Sequence, residues 1–429
     1  MLRKMFSLVL VSALMLTMCG CGRQKEAYVY YLNFKPEADG AWQELAKEYT
    51  ERTGIPVKVV TAASNTYDDT LSAQLNKSFC PTLFICNNAQ GLEDLGSYPY
   101  DLRNTALAAQ LDNDEYCLWG KNGELFGMGF CYEAFGIITN KALLAQAGYS
   151  VDDIHNFNDL KIVAEDIHAR SGELGFDAFT SSGLDPSSSW RFSGHLSNMP
   201  LYYELLETDL TAQPSEITGN KLNLYKNIWD LYINNSSESK TSLTTATGNQ
   251  AEEEFGTGKA VFFQNGTWEY SALTDPEKYG ISPDDLTMIP IYCGADNEED
   301  CALCCGTENY WVVNSKASQE SIDATLDFLL WVVTSEEGKT MLSNEFGVTP
   351  FKDSIPTDNV FFNAEKAYEE QGKHPVQWAF CMTPNTDVWR NGVTSALAEY
   401  SAGIGSWDAV ENAFIKGWSF QYKLEHGTM

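Results

Sequence analysis

The sequence predicts an α/β protein of two or three domains built on mostly parallel sheets, and three observations carry that reading. Short β-prone apolar runs alternate with amphipathic segments of helical period, the rhythm of βαβ units. The chain has 429 residues, more than one hydrophobic core normally serves. Hydrophobic residues make up 44% and charged residues 20%, enough apolar side chain for packed cores and too much for wholesale disorder.

Along the chain, Tyr28 to Leu32 reads as a strand, followed by a polar turn from Asn33 to Gly40. Trp42, Leu45, Ala46 and Tyr49 recur at helical spacing until Gly54 stops the helix. Val57 to Thr61 is the next strand, Tyr67 to Lys77 a helix, and Thr82 to Cys86 a third strand. The rhythm returns with helices at Ala142 to Ala147, Asp159 to Ala169 and Leu222 to Ile233, and with strands at Ala260 to Phe263 and Tyr310 to Val313. Ile322, Leu326, Leu329, Leu330 and Val333 mark one amphipathic helix, and Trp389, Val393, Ala396, Leu397 and Tyr400 another. The last helix runs from Trp407 to Trp418 behind Ser406 as N-cap. The acidic loop Asp296 to Asp300 lacks the glycine and ligand spacing of an EF-hand and reads as solvated. No long Pro- or Ser-rich linker separates independent domains.

The balance of 59 acidic against 28 basic side chains, a net charge of −31, excludes a nucleic-acid partner, which needs clustered Lys and Arg. It equally disfavours adsorption to an anionic membrane surface. The amino terminus has the parts of a secretory signal: Arg3 and Lys4, an apolar stretch from Met5 to Met18, and small residues beyond. That stretch is short of the roughly 20 residues a spanning helix needs. Met18 to Cys21 resembles a bacterial lipobox, with Gly20 as the small residue before the cut. The resemblance implies that residues 1–20 leave and that Cys21 is acylated. Met18 and Cys19 depart from the usual Leu and small residue, and simple cleavage with release is the alternative. Residues 21–27 would then be a flexible tether, and two acyl chains suffice for stable anchoring.

Of 11 cysteines, nine remain after Cys19 and Cys21 are set aside, an odd number that cannot all pair internally. Cys80, Cys86, Cys117, Cys131 and Cys381 sit among apolar residues as small hydrophobes. Cys293, Cys301, Cys304 and Cys305 have no histidine nearby, and adjacent cysteines fit a zinc tetrahedron poorly, so the segment reads as a free-thiol or partly disulfide-bonded loop. No metal and no cofactor is called for. Enzyme signatures are absent: there is no G-x-S-x-G elbow, P-loop, G-x-G-x-x-G after a strand, or H-E-x-x-H, and the five histidines are scattered.

Five segments, in order along nearly the whole chain, resemble the extracellular solute-binding proteins of carbohydrate ABC importers, the family of maltose-binding protein. They are Trp42 to Val59; Gly127 to Lys141 with Leu143, Leu144, Ala147 and Gly148; Phe255 to Trp268; Cys305 to Lys316 leading into Phe328 to Gly338 and Gly347 to Pro350; and Thr383 to Trp389 with the closing helices. The resemblance implies a two-lobed periplasmic-binding-protein-like fold of type II, with discontinuous lobes joined by a hinge. The crossings would fall near Phe130 to Gly136, Ile289 to Gly294 and Val333 to Gly338. One lobe would then comprise residues 28–132 and 292–335, and the other residues 133–291 and 336–429. A ligand would bind between lobes that close around it.

A sugar site needs flat aromatic platforms for C–H faces and fixed polar groups for hydroxyls. Trp42, Trp229, Trp331 and Trp418 lie on helical apolar stripes and read as core. Trp268 follows Gln264, Asn265, Gly266 and Thr267 after a strand, at the C-terminal edge where ligands of open α/β sheets gather. The family places a stacking tryptophan there, and Trp389 and Trp190 also match stacking positions. Glu133, a carboxylate inside an apolar run, matches a hydroxyl acceptor at the first crossing. Asn88 and Gln90 follow the third strand, where maltose binders often carry aspartate and arginine, so the amides depart from a maltose site. Glu308, Asn309 and Tyr310 beside a crossing, and Asn33 and Lys35 after the first strand, complete the candidates, each with a turn satisfying its own backbone as the alternative.

The expectation is a monomeric, non-enzymatic lipoprotein on the outer face of the cytoplasmic membrane that captures an oligosaccharide and delivers it to an ABC permease. Two other readings stay open: a secreted carbohydrate-active enzyme using Glu133 or another carboxylate, and the same fold binding a polyamine or other small solute. The polyamine reading requires carboxylates in the cleft among the aromatics.

Overall fold

The computed structural model describes residues 27–428 except 64, 65, 115, 182, 211 and 244; the signal segment, Cys21 and most of the tether lie outside the described residues. The chain first lays down β1 (Val29–Asn33), β2 (Val57–Thr61), β3 (Leu83–Cys86), β4 (Cys117–Trp119) and β5 (Leu125–Gly129). It then builds β6 (Glu133–Asn140), β7 (Asp177–Phe179), β8 (Ala260–Gly266), β9 (Leu286–Ile289) and β10 (Cys301–Gly306). It returns for β11 (Tyr310–Val313) and ends with β12 (His374–Gln377). Two sheets result, ordered β2-β1-β3-β11-β5-β4 and β12-β10-β6-β8-β7, with β9 paired to β6.

The sheets are mixed, not mostly parallel. β1 pairs in parallel with β2 and β3, and β7 with β8, whereas β11 is antiparallel to β3 and β5, and β6 is antiparallel to β8, β9 and β10. The cause is topological. β6 and β11 are the strands that enter a lobe directly from the other one, so they start at the edge facing the cleft and run away from it.

Each sheet has its own core. Trp42, Phe84, Phe130, Trp311, Phe328 and Phe346 belong to the first, and Phe192, Trp229, Tyr232, Phe262, Trp389 and Trp418 to the second. Helix Asp39–Thr53 buries Trp42, Leu45, Ala46 and Tyr49, the stripe read from the sequence, and ends on Gly54 at φ 76°, a left-handed C-cap that glycine adopts without strain.

Two of the three crossings differ from expectation. The first runs from Gly129 to Glu133. The second lies at residues 307–309, not 289–294, because Cys301–Gly306 is a strand that pairs with β6 and β12 of the second sheet. The third lies within residues 352–359, not 333–338. Met341, Leu342, Phe346 and Phe351 still pack in the first core, whereas Val360 and Phe361 pack on the second lobe's side. The first lobe is thus residues 27–130 with 310–352, and the second 133–306 with 359–428, in place of the boundaries at 292 and 335.

The acidic loop is also not simply solvated. Glu298 is buried and its carboxylate accepts from the backbone N–H groups of Phe157, Cys293 and Gly294 at 2.7, 2.7 and 2.8 Å, tying the loop to its neighbours. All nine cysteines among the described residues are free thiols, Cys301, Cys304 and Cys305 lying on β10.

Candidate functional site

The C-terminal edges of strands in both sheets meet across one cleft. Lys35 follows β1, Trp268 follows β8, and Trp378 follows β12. Between the lobes lies a cavity of about 450 Å³. The first lobe supplies Phe34, Lys35, Glu37 and Tyr67; the crossings supply Glu133 and Glu308. The second lobe supplies the aromatic wall of Trp190, Trp268, Trp378 and Phe380, together with His195, Glu252, Glu269, Lys278 and Arg390.

Trp268 is half-buried, and its indole N–H donates to Asn265 Oδ1 at 2.9 Å, fixing the ring as a platform. The ring lies across the backbone of Gly266, where a Cβ would come within 2.2 Å of it, so only glycine fits there. Trp190 is held by Nε1–H to Ser187 O at 2.9 Å, its ring centred 6.0 Å from Trp268 at 56°. The two rings form a corner, not a parallel stack.

The floor of the hinge is an ion pair. Lys35 Nζ donates to both oxygens of Glu133 at 2.9 and 3.1 Å, and Asn309 Nδ2 donates to Glu133 Oε2 at 2.8 Å. Lys35 belongs to the first lobe, Glu133 opens the second, and Asn309 sits on the second crossing, so three chain segments converge on one carboxylate. Asn33, fully buried, accepts from Lys35 N and donates to Lys35 O at 2.7 Å, which shapes the turn presenting the lysine. Although burial works against its charge, Glu133 and Glu37 hold the Lys35 ammonium above its ordinary value. The same ammonium lies 5.0 Å from the Trp268 ring centre, a cation–π contact between lobes.

His195 lies in a π-helical turn, Arg191–Leu196, a rare geometry frequent at functional sites. Its ring stacks on Phe135 at 3.8 Å, and Nδ1 accepts from Gln264 Nε2 at 2.9 Å, leaving Nε2 as the protonated nitrogen. Burial, then Arg390, Arg191 and Lys35, pushes its pKa well below the usual histidine range, so the ring is neutral. Burial and the neighbouring Glu252 raise the Glu269 carboxyl to about 8, and burial also raises Glu37 and Glu308.

Of the residues named from the sequence, Trp268, Trp190, Glu133, Glu308 and Lys35 line this cavity, with Asn309 and Asn33 behind it. Trp389 does not: it is 2% exposed, its N–H donates to Phe414 O at 2.9 Å, and it packs edge-on against Phe414 and Trp418. Its helical stripe with Val393, Ala396 and Leu397 places it in the core. Asn88, Gln90 and Tyr310 line an adjoining groove of about 340 Å³. Asn88 caps helix Ala89–Asp94 by accepting from Gly91 N and reaches across the cleft to donate to Cys381 O at 2.9 Å. Gln90 donates to Asp94 on its own helix. Sequence reasoning missed Trp378, Phe380, His195, Arg390, Lys278 and the carboxylates Glu37, Glu252 and Glu269; Trp378 alone carried a signal, as an indole just beyond a strand.

Two α/β lobes, three crossings and a tryptophan-walled cavity shared by both lobes define a cleft-type binding protein. Residues 44–370 match the family described as bacterial extracellular solute-binding protein, and the chain belongs to that family. Solved structures agree on the fold. A chitin oligosaccharide binding protein superposes with TM-score 0.72 at 15% identity, over 94% of this chain and all of the other. RafE in complex with raffinose gives 0.69 at 15%, over 92% and 100%. A sugar transporter protein of Bacillus licheniformis in complex with stachyose gives 0.68 at 16%, again over 92% and 100%.

Proposed function

We propose that this protein is the lipid-anchored capture component of an ABC importer and that its cargo is a saccharide. The observation that carries the reading is the cavity itself, with Trp190, Trp268 and Trp378 on one lobe facing Lys35, Glu37 and Tyr67 on the other. Aromatic faces take sugar C–H surfaces, and the surrounding carboxylates and His195 take hydroxyls. Contacts made to both lobes favour the closed state, which is the form a permease would receive. Solved relatives of the same fold carry raffinose and stachyose, which supports a saccharide cargo. Glu133 is engaged by Lys35 and Asn309 and so is poorly placed to act as a glycosidase acid, which speaks for binding over hydrolysis.

Thermal unfolding of the mature protein against a panel of mono- and oligosaccharides tests the reading. A cognate sugar raises the melting temperature in proportion to the logarithm of its concentration, and chromatography returns it intact. No shift and no calorimetric heat across the panel sinks the saccharide reading. Cys21→Ser tests the anchor, with release of the protein from membranes as the expected outcome.

A further inference from the structure

The cavity holds more carboxylate than its own cations satisfy. Glu37, Glu133, Glu252, Glu269 and Glu308 face it against Lys35, Lys278 and Arg390. Lys35 is committed to Glu133 and Lys278 to Glu252. Arg390 lies over the Phe380 ring at 5.1 Å and makes no ion pair among the described residues. Three carboxylates are left over: Glu308, for which Arg390 is the leading compensating charge, and one on each side of the cleft. Glu269, on the second lobe, meets only the Asn265 amide, at 2.6 Å. Glu37, on the first, has only the far side of Lys35, at 3.7 Å. Glu37 is among the charges that push the Glu269 carboxyl up.

A second observation, independent of the acids, marks the cavity as built for a ligand. His195 is 5% exposed and lines it, its Nδ1 is taken by Gln264, and its Nε2 has no partner among the described residues. A buried, neutral ring with one fixed donor and nothing to donate to is an incomplete hydrogen bond.

Resting on the saccharide reading above, we infer that the cargo is an amino sugar: its protonated amine sits between Glu269 and Glu37, its ring lies against Trp268, and one of its oxygens accepts from His195 Nε2. Neutral hydroxyls also donate to carboxylates, but they do nothing for the charge of Glu37 and leave Glu269 protonated, whereas an ammonium between the two compensates Glu37 and favours the ionised form of Glu269. The chain's own Lys35 ammonium, 5.0 Å from the Trp268 ring centre, already shows that this indole tolerates a cation in the cavity. Around Glu269 the facing charges are Glu252, Glu37, Arg191 and Lys278, and with its carboxyl at about 8 it carries a proton at neutral pH when the cavity is empty. An arriving ammonium displaces that proton to solvent, so affinity rises with pH from about 6 to 8.

Calorimetry on the mature protein at pH 7, in two buffers of different ionisation enthalpy, decides the matter. The probes are glucosamine, galactosamine and the glucosamine disaccharide, each beside its hydroxyl and N-acetyl counterpart. The expected result is binding of an amine probe at least tenfold tighter than its counterparts, with net proton release. Glu269→Gln removes both the preference and the proton release. Glu37→Gln, on a side chain open to solvent, reduces the preference and stands as the readout should the first variant misfold. Hydroxyl or N-acetyl probes binding as tightly as the amines overturn the inference and leave the saccharide reading intact. Putrescine and spermidine, added as further probes, overturn both if they bind while no sugar does; binding of none of the probes overturns the inference, and the saccharide reading falls with it only if the wider saccharide panel also gives no shift.

Discussion

Replacing Glu133 by Gln isolates the ion pair at the hinge without changing side-chain shape. The Glu133 and Lys35 side chains retain only 4% and 12% of their exposure, so the ammonium cannot recover its hydration when the carboxylate is lost. Removing one member of such a buried pair costs about 3–5 kcal/mol. Glu37, 3.7 Å from Lys35, takes over part of the compensation and places the expectation near the lower bound, about 3 kcal/mol. With a urea dependence of about 3 kcal/mol per molar, the unfolding midpoint falls by about 1 M at unchanged slope. The double variant Lys35→Met with Glu133→Gln removes the stranded charge and regains at least half of that loss, because an apolar chain replaces an uncompensated cation. A Glu133→Gln variant within about 0.5 kcal/mol of the parent, or a double variant no more stable than the single one, refutes the argument that this pair is buried and mutually dependent.

Three further outcomes are expected. Trp268→Ala removes the platform in the cavity and weakens binding of whichever saccharide raises the melting temperature by about 2 kcal/mol or more, roughly 30-fold in Kd by calorimetry. Trp389→Ala instead lowers stability by about 3–5 kcal/mol in urea unfolding, with Kd changed less than threefold, because its ring fills the core of the second lobe. Glu269→Gln gains stability relative to the parent as pH rises from 5 to 8. The folded parent holds a proton up to about 8 that the unfolded chain releases near 4.5, so the parent alone loses stability across that window. A gap that stays constant with pH counts against a buried Glu269 carboxyl.

What the sequence made legible follows from locality. Helix Asp39–Thr53 and strands β1, β2, β3, β8 and β11 announce themselves through residue spacing and breakers within one window. Trp268 was legible because a strand and a turn precede it, and Glu133 because a carboxylate in an apolar run needs a partner. Trp389 matches a stacking position of the family, yet its own helical period groups it with Val393, Ala396 and Leu397, and that period decides its place in the core. β10 is illegible for a non-local reason: Cys301, Cys304 and Cys305 become a strand only by pairing with residues 133–135 and 374–377, and the second crossing moves with it. The charged lining was hidden by abundance, since Glu37, Glu252 and Glu269 are three among 59 acidic residues with nothing local to distinguish them.

The position of β11 has a consequence for how the protein is made. It fills the centre of the first sheet, between β3 and β5, yet it is synthesised more than 180 residues after β5. A growing chain that has not reached Tyr310 holds that sheet as two separate pieces with raw edges on each side of the gap. The first half-molecule therefore stays unfinished until most of the polypeptide has emerged. A chain bound for export gains from this delay, because a translocation channel threads loose polypeptide and stalls on a finished domain.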